Sequence, residues 1–161
     1  MNKPPVAILM GSQSDIPVMQ ESANILKDFG VPYEMKVLSA HRTPKETAEY
    51  AENFRGHGGK IFICGAGVSA ALAGVVSAHT TLPVIGVPID SGPLNGMDAL
   101  LSTVQMPPGV PVGAVAIGSP GAKNAGLLAV RILSLGDSVL AKKLEDYREQ
   151  QRQKVLGTDL H

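Results

Sequence analysis

Five short apolar runs alternate along the chain with segments whose apolar residues recur at helical spacing. The first run is Val6-Ala7-Ile8-Leu9-Met10. Met19, Ala23, Leu26 and Phe29 follow it three or four apart, which predicts a helix closed by Gly30 ahead of Pro32. Tyr33 to Leu38 reads as a second strand, ending in Ser39-Ala40-His41-Arg42. Thr43-Pro44-Lys45-Glu46 has the spacing of a capping box with proline in the first turn, so a second helix is expected from there to about Arg55. Lys60 to Cys64 is a third strand, opening into the loop Gly65-Ala66-Gly67-Val68-Ser69 and a helix of small residues to about Ala78. Pro83 to Pro88 is a fourth strand, followed by the loop Asp90-Ser91-Gly92-Pro93 and a helix over Asn95 to Gln105. Pro111 to Ile117 is the fifth, with a helix from Gly118-Ser119-Pro120-Gly121 to near Leu135.

Strands joined by helices pair in parallel, and parallel sheets are covered on both faces. The pattern therefore predicts a three-layer α/β sandwich, a flavodoxin-like doubly wound five-stranded sheet, as one domain over residues 1–161 with its core in 6–135. Ligands of such sheets bind beyond the strand C-termini, at the switch point near the first and third strands. Asp137 to Leu156 is a further helix with Val139, Leu140, Leu144 and Tyr147 on one side, expected to lie on a neighbouring subunit.

Composition narrows the class. Of 161 residues 44% are hydrophobic and 17% charged, which supports a folded core and excludes intrinsic disorder. Formal net charge is zero and Lys/Arg are dispersed, so neither a nucleic-acid nor a membrane partner is expected. The N-terminus enters a strand instead of a signal-peptide core and there is no apolar run of membrane length, which reads as a soluble intracellular protein. Cys64, the single cysteine, lies in an apolar run and reads as a small buried residue. The four histidines are scattered, and no metal-ligand spacing occurs.

The candidate chemistry gathers after the first three strands. Gly11-Ser12-Gln13-Ser14-Asp15 is a polar turn into a helix. Its glycine permits a sharp bend, Ser12 and Ser14 can face an anion with the first helical N–H groups, and Asp15 can cap the helix or bind sugar hydroxyls. Read alone, the pentad serves equally well as a plain cap. His41 is the best proton-transfer residue, since an imidazole titrates near neutral pH, and Arg42 presents a fork suited to phosphate or carboxylate. An exposed loop histidine and a surface ion pair are the plain alternatives. His57 reads as a solvent-facing turn residue, His79 as a helix-end residue, and Asp98 as favourable to a helix dipole. Gly65-Ala66-Gly67 lacks the third glycine of a dinucleotide fingerprint, and no Gly-Lys-Ser/Thr ending occurs, so NAD and ATP are not indicated.

Taken jointly, Gly11 to Asp15, Ser39-Ala40-His41-Arg42-Thr43-Pro44, Pro83 to Pro88, Val104-Gln105-Met106-Pro107, Gly109 to Val112, Ala116-Ile117-Gly118 and Asn124-Ala125 resemble the 5-(carboxyamino)imidazole ribonucleotide mutase family of purine biosynthesis. The resemblance runs from about Val6 to Leu135. It implies a cytoplasmic, cofactor-free, typically octameric enzyme acting on a small ribonucleotide. His41 would be the acid/base; Ser12, Ser14, Asp15, Ser39 and Arg42, with the backbone of Gly65, Ala66 and Gly67, would hold the substrate. The chain departs from the family at Gly67-Val68-Ser69-Ala70-Ala71-Leu72-Ala73-Gly74, where many members carry Ala-Ala-His-Leu-Pro-Gly. Ala71 thus stands in place of a second imidazole. Two other readings remain: a carboxylase using free CO2, a branch that usually has lysine where this chain has Arg42, and a nucleotide- or phosphate-binding module without catalysis.

Overall fold

The computed structural model of the chain describes residues 4–158. Strand β1 (Val6–Met10) is followed by helix α1 (Ile16–Phe29), β2 (Tyr33–Val37), α2 (Pro44–Phe54), β3 (Ile61–Gly67) and α3 (Leu72–Ala78). The remainder is β4 (Val84–Ile89), α4 (Met97–Val104), β5 (Gly113–Ala114), α5 (Gly118–Ser134) and α6 (Ser138–Leu156). All strand pairs are parallel and the order is β2-β1-β3-β4-β5, which is the expected flavodoxin-like winding.

Strand residues point alternately to opposite faces, so the sheet has two cores. Val6, Ile8, Met10, Ile61, Ile63, Ile85 and Val87 pack on α1 and α5 through Met19, Ala23, Leu26, Ala122, Ala125 and Ala129. Ala7, Leu9, Phe62, Cys64 and Val84 face the other side, against Ala51, Phe54, Leu72, Ala73 and Val76 of α2 and α3. Small residues let α1 and α5 approach closely. Ser22 Oγ donates to the Ala122 carbonyl at 2.6 Å, and a Cβ on Gly126 would stand 3.0 Å from the Ser22 carbonyl oxygen.

Several element bounds and one cap depart from the sequence reading, the larger departures each with a local cause. β3 runs on through Gly65, Ala66 and Gly67, which pair with Val87, Pro88 and Ile89, so this segment is strand where a loop was expected. Helix α4 begins only at Met97, because Asn95 (φ 50°) and Gly96 (φ 85°) are left-handed and cannot continue a right-handed turn. β5 is two residues long; the Val115 amide still reaches the Gly86 carbonyl, and the chain then turns at Gly118 (φ 75°) into α5. At Thr43 there is no capping box, because its hydroxyl is engaged with Ser39 instead of the first helical amides.

Helix α6 is capped by Asp137, whose carboxylate accepts from the Val139 and Leu140 amides at 2.9 and 3.1 Å. Its first half rests on its own chain. Lys143 Nζ donates to the Phe29 carbonyl at 2.9 Å, capping the C-terminus of α1, and the Tyr147 and Phe29 rings lie 5.6 Å apart. Its second half is exposed, Val155 and Leu156 included.

Candidate functional site

Two polar turns at the C-terminal edge of the sheet are tied internally before they meet any ligand. In the first, the Asp15 carboxylate accepts the Ser12 amide at 3.1 Å while Ser12 Oγ accepts from the Ser14 amide and the Ser14 hydroxyl at 3.3 and 3.0 Å. This reciprocal box closes a short 3-10 turn over Gln13–Asp15 ahead of α1. Asp15 makes no side-chain cap to α1 itself. Its side chain is buried, and burial pushes the carboxyl above its usual range against the opposing pull of the Ser12 amide, Ser14 and the Arg42 charge.

The second turn is laced around Thr43. Its hydroxyl accepts the Ser39 amide at 2.8 Å and donates to the Ser39 carbonyl at 3.0 Å, and the Thr43 amide reaches that same carbonyl at 2.9 Å. Ser39 Oγ accepts the Arg42 amide at 3.1 Å, and buried Thr47 donates to the Thr43 carbonyl at 2.8 Å. The backbone from Ser39 to Thr43 is thereby fixed while His41 and Arg42 remain exposed.

These turns face a cavity of about 300 Å³ whose third side is the exit of β3. Ser12, Ser14, Asp15, Ser39, His41, Arg42, Ala66 and Gly67 all line it. Gly65 does not; it is a packing glycine, where a Cβ would stand 2.2 Å from the buried Met19 sulfur. Gly67 is backed by Ser91, whose Oγ would lie 1.9 Å from an added Cβ. Gly11, Ala40, Val68, Ser69, Ala71, Leu72 and Ser91 complete the lining. Sequence patterning gave no role to Val68, which adopts a left-handed conformation (φ 55°). Only the chain reversal between β3 and α3 could have pointed to it.

The other titratable residues lie away from this cavity. His79 Nδ1 is 2.9 Å from Glu52 at the far end of α3, and His57 is exposed in a turn after α2. His161 lies outside the described residues. The Asp98 carboxylate accepts the Ala99 amide at 2.9 Å in the first turn of α4. Cys64 is buried, and burial raises its thiol pKa well above the usual range. Among the described residues, no helix is long and apolar enough to cross a membrane, and no three His, Cys, Asp or Glu side chains group as a metal-ligand set.

The arrangement offers one imidazole, one guanidinium, several hydroxyls and a buried carboxyl around a space the size of a small phosphorylated molecule. Residues 5–154 match the AIR carboxylase family model. The N5-carboxyaminoimidazole ribonucleotide mutase of Bacillus subtilis is 56% identical over 154 residues, covering 96% of this chain and 95% of that protein. The protein of that name from Saccharolobus solfataricus is 53% identical over 157 residues and covers 98% of each. Among solved structures, Treponema denticola PurE superposes with a TM-score of 0.85 at 35% identity, covering 94% of this chain and 93% of that one.

Proposed function

The chain belongs to the AIR carboxylase family, and on that basis we propose that its cavity carries out the N5-carboxyaminoimidazole ribonucleotide mutase reaction of purine biosynthesis. The substrate is 5-carboxyamino-1-(5-phospho-D-ribosyl)imidazole, and the product carries the carboxylate on ring carbon 4. The bond between the exocyclic nitrogen and the carboxylate carbon breaks with its electron pair left on nitrogen, which takes up a proton. Ring carbon 4 then attacks the released CO2, and loss of the proton on that carbon restores the aromatic ring. No external oxidant, reductant or cofactor enters this balance.

His41 is the acid/base that moves these protons, held by the Ser39–Thr43 hydrogen bonds at the cavity edge. Arg42, adjacent on the same turn, binds the phosphate with Ser12 and Ser14, so that distant binding energy positions the ring. Asp15 contacts the ribose as well as closing its turn, and Ser39, Ala66 and Gly67 border the base. The observation that carries the reading is that His41 and Arg42 share one braced turn and one cavity with Ser12 and Asp15. The first test is turnover by the purified protein of the carboxyamino nucleotide, set against aminoimidazole ribonucleotide plus bicarbonate. Conversion of the second pair alone would identify a carboxylase, and conversion of neither a binding module.

The reading extends to assembly and location. The whole chain acts as one domain within a cytoplasmic homo-octamer whose sites lie near subunit boundaries. Support comes from apolar surface that one chain leaves uncovered: Leu94 in the turn before α4, Met97, Leu101 and Val104 along α4, and Val155 and Leu156 at the end of α6.

A further inference from the structure

The cavity is chemically two-sided. One side carries Ser12, Asp15, His41 and Arg42. The side formed by the end of β3 and its connection to α3 is Ala66, Gly67, Val68, Ala71 and Leu72, with only the hydroxyls of Ser69 and, after β4, Ser91 beside them. Nothing on that side titrates.

Val68 is one of these lining residues and has a strained backbone. Its φ of 55° is a region that β-branched residues rarely enter, and the residue is 51% exposed, so burial of its side chain does not compensate. The chain on either side is fixed: Gly67 pairs with Ile89 and is backed by Ser91, while Ala70 and Leu72 are buried. Glycine would take up this turn without strain. A strained apolar residue on a cavity wall, where glycine would be easier, points to a task for its side chain.

Resting on the mutase reading, we propose that Val68 is a retention-determining residue, which holds an apolar wall over the reacting end of the nucleotide and keeps CO2 in the cavity between C–N cleavage and C–C formation. Carbon dioxide is small and uncharged. The hydroxyls, imidazole and guanidinium of the other lining residues have ionic and hydrogen-bonding groups to hold, whereas an apolar wall holds CO2 and excludes the water that would carry it off as bicarbonate. Retention separates transfer within one bound nucleotide from decarboxylation followed by recapture from solution.

The test supplies unlabelled carboxyamino nucleotide in a medium of 13C-bicarbonate with added carbonic anhydrase, and measures 13C in the product carboxylate by mass spectrometry, corrected for enzyme-free decarboxylation. The wild-type product is expected to carry little label, and that of Val68→Gly at least about threefold more, with no fall in the thermal unfolding midpoint because strain is relieved. Val68→Ala trims the side chain but keeps a Cβ in the left-handed turn, and its product is expected to lie between. Label at the wild-type level in both active variants would overturn the retention role and leave the mutase reading standing. Full labelling by the wild type, or no conversion at all, would overturn the mutase reading and this inference with it.

Discussion

The Asp15 carboxylate accepts the backbone N–H of Ser12, three residues before it, at 3.1 Å, and is buried beside the cavity that both residues line. One side chain thus closes the turn and borders the cavity. Asparagine can accept the same amide but brings no charge. Asp15→Asn is therefore expected to weaken nucleotide binding by about tenfold while leaving the fold intact. A pH dependence follows from the raised carboxyl. The folded state holds the Asp15 proton to higher pH than the unfolded chain does, so this residue costs stability progressively as pH rises from its unfolded value of 3.8 through its higher folded value. Urea unfolding of both proteins across that acid range should show the Asn variant gaining relative stability toward neutral pH. A constant difference would mean that the carboxyl is not buried as described.

Arg42 is braced through its own amide on Ser39 Oγ, so trimming its side chain leaves the turn in place. Arg42→Ala is expected to raise the apparent KM through loss of a charge-assisted contact of roughly 1.5 to 3 kcal/mol, with kcat much less affected. Steady-state kinetics with direct binding by calorimetry checks this. Unchanged affinity would remove Arg42 from the phosphate.

Thr43 joins fold and site. Thr43→Val deletes the hydroxyl that both accepts from and donates to Ser39, leaving the Ser39 amide without this partner. A loss of about 1 to 3 kcal/mol in denaturant unfolding is expected, with kcat falling because His41 is less well held. Wild-type kcat in a destabilised variant would show that the brace does not position the imidazole.

Much of this was legible in the residues. Apolar runs, helical spacing and cap signals pointed to the strands and helices, and the turn residues after β1 and β2 marked two sides of the cavity. What the sequence left open is tertiary. The Thr43-Pro44-Lys45-Glu46 spacing reads as a cap, yet Ser39 competes for the threonine hydroxyl and takes it. Gly65 looks like a ligand-facing glycine, but its closeness to Met19 exists only once α1 lies on the sheet. Val68 draws no notice as one valine among many, because its strain is a property of where β3 must end and α3 begin.

Removing α6 in two steps separates its two halves. Truncation after Gly136 removes Lys143 and Tyr147 from Phe29 as well as the exposed end, and is expected to lower stability, assembly size and activity together. Truncation after Arg148 keeps those contacts and removes only the exposed end with Val155 and Leu156. Light scattering should then show a smaller assembly from a chain that stays folded. An intact, active assembly after both truncations would show that α6 is dispensable for oligomerisation.

In the proposed mechanism His41 moves the protons of carboxylate transfer while other groups of the cavity hold the nucleotide. Single-turnover conversion of the carboxyamino nucleotide by the wild type and by His41→Asn, with nucleotide affinity measured on the same preparations, tests it most directly. The expected result is turnover in the wild type, none detectable in the variant, and affinities within about tenfold of each other. Near-normal turnover in the variant, or loss of binding in parallel with loss of turnover, would remove His41 from the proton-transfer role.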